Sequence, residues 1–370
     1  MKVEFYKHTI DEEDIKRVNE VLRSIFLTTS SKTKEFEDKF SKYLGVKYAV
    51  GTNSATSALH LLLKSVGIKA GDEVITTPLT FVATANAIEF LGAKPVFVDV
   101  EEESGLIDLD RVEEAISPKT KAIVIVHLYG NMVNVKRLNE ISEKYNIPVI
   151  EDAAHAIESR YEGISPGSLT SGACFSFYAT KNITSGEGGA LVTNIEEIYE
   201  RTYRLRLHGL SKSAVDRYKR FTWYDMPEVG YKYNMYDIQA ALLVGQLDRI
   251  EKLLERRSFL ANRYIESLKD KVEFPRIPEK VKTSWHLFTI WVEEEKRNFI
   301  IEHLQKNNIG VSVHYKPVHL MSYYKNKYGY KEGDFKNAEK ISKRTITLPL
   351  YPSLKEEEQD YVIEKLLEVL

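Results

Sequence analysis

At 370 residues, with 43% hydrophobic and 29% charged side chains, the chain has the composition of a soluble globular protein large enough for two or three domains. A net charge of −2 with acids and bases interspersed argues against a nucleic-acid surface as its main business. The single cysteine, Cys174, excludes an intrachain disulfide and a thiolate metal cage, and its setting in Ala173-Cys174-Phe175 reads as a buried strand residue. The N-terminal stretch lacks an apolar leader core, and no apolar run reaches the roughly 18 residues of a membrane helix, so a cytoplasmic protein is expected.

In chain order, residues 11–23 have helical spacing, with Asp11 as N-cap and Ile15, Val18 and Leu22 on the expected apolar face. A second helix is predicted over 33–44, with Phe36 and Phe40 four apart. An alternation then begins. Strands are expected at 47–50, 73–76, 95–99, 122–126 and 148–151, separated by helices at 55–66, 80–91, 108–116 and 135–145. Further strands follow at 174–177 and 190–193, and one long helix is expected over 237–268.

Short, nearly continuous apolar strands between helices predict an α/β fold with a largely parallel sheet covered on both faces. A large domain over 1–250, with its N-terminal helical segment, and a smaller C-terminal α+β domain over 251–370 are expected. Ligands of such sheets collect at the carboxyl ends of the strands. Asn53, Pro78, Asp152 and Tyr178 lie at or just past those ends, so motifs spread along the chain converge.

Gly51-Thr52-Asn53-Ser54-Ala55-Thr56 lies between a strand and a helix, where free N–H groups suit a phosphate. Asn53 or Ser54 as a plain helix cap is the alternative, because caps are common. Phe81 follows another strand end; it is either a core residue or a stacking face for a flat ring. Asp152 ends a buried strand, where a carboxylate needs a partner: a pyridinium N–H, a salt bridge or a metal. A metal is disfavoured because only Glu151 and His155 stand nearby, and alternation sends Glu151 to the other face. Lys181 follows a strand carrying Ser176, which is placed to donate to a phosphate, and precedes the small-residue run Gly186-Glu187-Gly188-Gly189. A lysine after one strand and an acid at the end of another are the pair that pyridoxal 5′-phosphate (PLP) requires.

Taken in order, these motifs resemble the DegT/DnrJ/EryC1/StrS family of sugar aminotransferases. The resemblance spans about residues 10–365. It also includes Thr80 to Asn86, Glu151-Asp152-Ala153-Ala154-His155, Gly230 to Ala241 and Val313-His314-Tyr315-Lys316-Pro317-Val318-His319. It implies a type I PLP fold with a seven-stranded sheet, and a homodimer with shared active sites. It assigns the Schiff base to Lys181, the pyridine nitrogen to Asp152, the ring face to Phe81 and the phosphate to Ser54, Ala55 and Ser176. His155 would sit beside the ring, and Asn234 would reach the neighbouring subunit's phosphate. Lys232, His314, Tyr315 and His319 become candidate substrate contacts; for the last three, purely structural hydrogen bonding remains the alternative.

Within the family, the chain is similar to the branch acting on nucleotide-linked 4-keto sugars, particularly the UDP-4-amino-sugar transaminases of cell-surface glycan synthesis. The implied reaction is ping-pong transamination with L-glutamate and 2-oxoglutarate as donor pair. A dehydratase of the same family would replace Lys181 with histidine or carry an iron–sulfur cluster on several cysteines, and a regulatory relative would carry a DNA-binding segment or have lost the lysine. One departure stands out: relatives have Thr-Thr-Gly-Pro where this chain has Thr28-Thr29-Ser30-Ser31.

Overall fold

The structure is a computed structural model that describes residues 1–212 and 223–370. Its centre is a seven-stranded sheet. The strands are β1 (Tyr48–Thr52), β2 (Glu73–Thr76), β3 (Lys94–Phe97), β4 (Thr120–Val126) and β5 (Val149–Asp152), followed by β7 (Gly172–Ser176) and β8 (Gly189–Thr193). Between β5 and β7 lies the two-residue β6 (Arg160–Tyr161), which pairs outside the sheet with β9 (Val281–Lys282). The spatial order is β1-β8-β7-β5-β4-β2-β3. Only β8 runs against the others, pairing antiparallel with both β1 and β7.

Both faces of the sheet are covered, which is why its strands read as unbroken apolar runs. Val124, Ile150, Cys174 and Leu191 pack with Leu59, Leu62 and Leu63 of helix α3 (Ala55–Ser65). The alternate residues Ile123, Ile125 and Val149 enter a different buried cluster with Leu138 and Ile141. Phe36 and Phe40 stack against one another and meet Phe175 and Phe177 edge-on.

Helices α1 (Glu12–Leu22) and α2 (Ser31–Leu44) precede β1, α3 (Ala55–Ser65) follows it, and α4 (Ala83–Glu89) follows β2. The expected apolar face of α1 is corrected by the structure. Ile15 and Leu22 are exposed, whereas Asp14 and Val21 are buried. Asp14 turns inward because the Arg249 guanidinium binds its carboxylate. The long helix expected over 237–268 is two helices, Asp237–Asp248 and Ile250–Leu268. They meet at Arg249, whose φ of −112° and ψ of 10° leave the helical range, and whose guanidinium also donates to Thr9 O.

The C-terminal part contains a two-stranded antiparallel ribbon, β10 (Phe288–Trp291) with β11 (Thr345–Leu348), backed by helices. Its core includes Leu260, Tyr264, Phe288 and Ile346, and Val3 from the N-terminus joins it through pairing with Ile309. Among the described residues no helix is long and apolar enough to cross a membrane.

Candidate active site

A cavity of about 620 Å³ opens at the carboxyl end of the parallel strands. Ser54, Ala55, Phe81, Asp152, His155, Ser176, Lys181, His314 and Tyr315 all line it. These are nine of the twelve side chains singled out from the sequence. Convergence follows from topology: β1, β2, β5 and β7 point the same way, so the segments leaving them meet at one edge.

At one end, Ser54 caps α3, its Oγ accepting from Ser57 N at 3.1 Å. The cap alternative and the phosphate alternative are therefore compatible. The first-turn N–H groups of α3 have no partner inside the helix, and Ala55 and Thr56 face the cavity. Strand β8 passes this end at very close range. A Cβ on Gly189 would stand 2.2 Å from Ser54 C and 2.4 Å from Ala55 N, so only glycine lets the strand pass.

At the other end, the Asp152 carboxylate is only 6% exposed. It accepts from Thr84 Oγ1 at 2.8 Å and Ala154 N at 3.2 Å, and the buried Cys174 Sγ lies 3.7 Å away. Among the described residues it forms no ion pair. Its neighbour Glu151 points to the opposite face, bound to His127 Nε2 at 2.6 Å, Gly167 N at 2.9 Å and Thr170 Oγ1 at 2.5 Å. A buried carboxylate that faces the cavity without a direct ion pair, the Lys181 amine being its nearest charge, fits a ligand that brings a cationic N–H, and a protonated pyridine nitrogen does so. Phe81, 60% exposed at the cavity wall, offers a flat face.

Lys181 stands between these ends. Burial lowers its amine from the ordinary 10.5 to about 8, and the Asp152 charge opposes that shift. Its Nζ lies 3.4 Å from His286 Nε2. Burial and then the Lys181 charge hold both His155 and His286 well below the usual imidazole range, so both rings are neutral. His155 Nε2 shares a hydrogen bond with Tyr315 Oη at 3.1 Å, while its buried Nδ1 has no partner. His314 shares a hydrogen bond with Thr347 Oγ1 through Nδ1 at 2.8 Å and stacks on Phe5.

Three predicted residues lie elsewhere. His319 is buried against Glu339, 3.0 Å away, because that carboxylate organises the loop through Gly333 N and Phe335 N. Lys232 is exposed and Asn234 buried, and neither lines this cavity. Asn234 Nδ2 donates to Thr28 Oγ1 at 3.2 Å and Thr29 Oγ1 at 2.7 Å, leaving its buried Oδ1 without a partner. Those threonines open the loop that departs from the family pattern. It is held without Gly or Pro by Asp237, which accepts from Ser30 N, Lys32 N and Thr33 N. Sequence reading missed Thr84 and His286. Thr84 sat inside the Thr80 to Asn86 motif, four residues from Thr80, whereas His286 lies outside every motif quoted above.

A buried carboxylate, a helix N-terminus and a buried lysine in one cavity are the set of groups that a PLP enzyme uses. The model of the DegT/DnrJ/EryC1/StrS aminotransferase family matches residues 8–367, and the chain belongs to that family. It is 42% identical to the spore coat polysaccharide biosynthesis protein SpsC of Bacillus subtilis, over 98% of this chain and 95% of that protein. It is 38% identical to the UDP-4-amino-4-deoxy-L-arabinose–oxoglutarate aminotransferase of Shewanella sediminis, over 98% and 96%. Among solved structures it matches the putative sugar aminotransferase Spr1654 of Streptococcus pneumoniae. The PMP-form superposes with a TM-score of 0.94 at 37% identity, covering 100% of this chain and 99% of that one. The PLP-form gives 0.93 at 36% identity, covering 100% of both. The protein is a PLP-dependent sugar aminotransferase.

Proposed function

We propose that this chain transfers an amino group from L-glutamate to the keto carbon of a nucleotide-linked sugar, with a UDP-4-keto sugar as the preferred acceptor. Lys181 and Asp152 on the wall of one cavity carry this reading. Lys181 would hold PLP covalently through Nζ, Asp152 would pair with its ring nitrogen, and Phe81 would cover its face. Ser54, Ser176 and the Ala55 N–H would take its phosphate. Bound there, PLP supplies the electron sink that makes a Cα proton removable.

The remaining steps belong to the protein. A lysine amine near pKa 8 keeps about a tenth of its population neutral at pH 7, against roughly one part in 3,000 at 10.5. Lys181 Nζ can therefore take the donor's Cα proton, and in the second half-reaction return a proton at the sugar carbon. Neutral His155 and Tyr315 flank the same space and orient the acceptor without adding charge. The relative that names oxoglutarate and a UDP-linked 4-amino sugar supports this choice of donor and acceptor.

We also propose a homodimer. Ile15, Leu22, Ile25 and Leu27 are all at least 44% exposed on and just after α1, an apolar patch that a second copy would cover. In that assembly Asn234 and the exposed Lys232 would serve the partner's site.

The test is borohydride reduction of the holoenzyme followed by peptide mass mapping, with a panel of UDP-, dTDP- and GDP-linked keto sugars assayed with glutamate. Expected are an adduct on Lys181, its loss in Lys181→Ala, and an amino-sugar product from a UDP-linked acceptor. An adduct at another lysine, or amine formation only from dTDP- or GDP-sugars, would overturn the corresponding part.

A further inference from the structure

Behind Lys181 runs a chain of polar groups that the reaction as described leaves without a task. His286 Nδ1 lies 2.9 Å from Asn182 Oδ1. Asn182 Nδ2 donates to Glu158 Oε2 at 2.7 Å and to Ser284 O at 3.3 Å. Arg257 closes the chain, pairing with Glu158 Oε1 and donating through Nε to Ser284 O at 3.2 Å. Arg257 and Glu158 are almost wholly buried, with side chains 2% and 0% exposed.

This sequence of bonds fixes a tautomer. The Asn182 amide nitrogen is committed to two acceptors, so the amide oxygen must face His286. An amide oxygen can only accept, so Nδ1 of His286 carries the proton. Burial keeps the ring neutral, so Nε2 bears a lone pair, and that lone pair faces Lys181 Nζ.

We propose that His286 is a positioning residue that takes one N–H of the free Lys181 amine, and that Asn182, Glu158 and Arg257 hold its imidazole in the tautomer able to do so. An amine so held keeps its own lone pair free to accept a proton in the cavity. A ring in the other tautomer would donate to that lone pair and block it. The inference rests on Lys181 being the proton-moving residue. It concerns the lysine itself, so it can be read without cofactor.

The experiment measures the pH midpoint of Lys181 acylation by acetic anhydride in cofactor-stripped protein, located by peptide mass, together with kcat and KM of the holoenzyme for glutamate. Because an acceptor favours the ammonium form, His286→Leu should lower the acylation midpoint by about one pH unit. It should also lower kcat about 10- to 100-fold, with KM changed less than about threefold. His286→Gln, which retains an acceptor, should recover most of both. Asn182→Leu removes no atom bonded to Lys181 Nζ, yet should shift the midpoint in the same direction by releasing the tautomer. Should His286→Leu fail to fold, as judged by circular dichroism, Asn182→Leu and His286→Gln carry the comparison. An unchanged midpoint and kcat in Asn182→Leu, or no recovery in His286→Gln, overturns the proposal. Borohydride mapping separates the two readings: an adduct on Lys181 with indifferent variants defeats only the positioning role, whereas an adduct elsewhere defeats the assignment of Lys181.

Discussion

Thr84 donates its hydroxyl to Asp152 Oδ2 at 2.8 Å, and Thr80 Oγ1 lies 2.9 Å behind it. In the proposed binding mode this carboxylate would pair with a pyridinium, and Thr84, on the helix after β2, would hold it in place. Hydrogen bonds to charged groups are worth about 1.5–3 kcal/mol, which corresponds to roughly 10- to 100-fold in binding. Thr84→Val should weaken PLP affinity by that factor, and Thr84→Ser should stay near wild type. Absorbance titration of stripped protein with PLP measures it. Equal affinity in Thr84→Val would show that Asp152 needs no such support.

Gly189 is the point where β8 passes the start of α3, the end proposed for the phosphate. An alanine methyl there would overlap the Ser54 and Ala55 backbone, and backbone cannot rotate away as a side chain can. Overpacking of this kind costs on the order of 1–3 kcal/mol. Gly189→Ala should lower the denaturation midpoint and, by displacing the start of α3, weaken PLP affinity more than Gly186→Ala does. Gly186 has no neighbour within 4 Å of its added Cβ, although its φ of +79° carries a strain of its own. Comparable PLP affinities in the two variants would remove Gly189 from the phosphate site.

The strand-helix alternation and the sheet edge were legible because buried parallel strands write an unbroken apolar run. Asp152 and Lys181 stood out because each sits at the end of such a run. Long-range polar partnerships leave no such trace. His319 carries the same residue type as His314 in the same quoted motif, and only the fold shows one at the cavity and the other buried on Glu339. The break at Arg249 was invisible because no Gly or Pro marks it and both flanking helices keep apolar faces. Helix α1 misled in the opposite way: its apolar periodicity was real, but its inward position is taken by Asp14. The tautomer of His286 depends on four residues spread from 158 to 286, a relation that no local spacing encodes.

His60 tests the electrostatics of burial away from the cavity. Its pKa falls from the ordinary 6.5 to about 4, chiefly through burial, with the Lys64 charge adding to it. The folded protein thus refuses a proton that the unfolded chain accepts. Between pH 6.5 and about 4 the unfolded state binds more protons, so stability falls as the pH drops through that window and is unaffected above it. The full penalty is on the order of 3 kcal/mol. His60→Leu should flatten the acid side of a melting-temperature profile while changing little of its shape above pH 7. A profile parallel to wild type down to pH 4 would contradict the depressed value.

Arg206 and Glu37 form a buried pair, side chains 3% and 5% exposed, that grips the backbone just before the phosphate loop. Glu37 Oε1 accepts from Gly51 N at 2.8 Å while Arg206 Nη1 donates to Gly51 O at 2.9 Å. Removing one partner leaves a buried charge uncompensated, which costs about 3–5 kcal/mol. Arg206→Met should therefore destabilise by that amount. Adding Glu37→Met removes the stranded carboxylate, so the double variant should be no less stable than the single one, although Gly51 N then loses its acceptor. A double-mutant cycle by denaturant unfolding should then return a coupling of about 3 kcal/mol or more, at or above the upper end for contacting residues. Because Gly51 leads within three residues to Ser54, both variants should also lose PLP affinity, and the loss should persist in the double variant even where stability recovers. If affinity instead recovers together with stability, the pair acts on the phosphate loop only through the global fold.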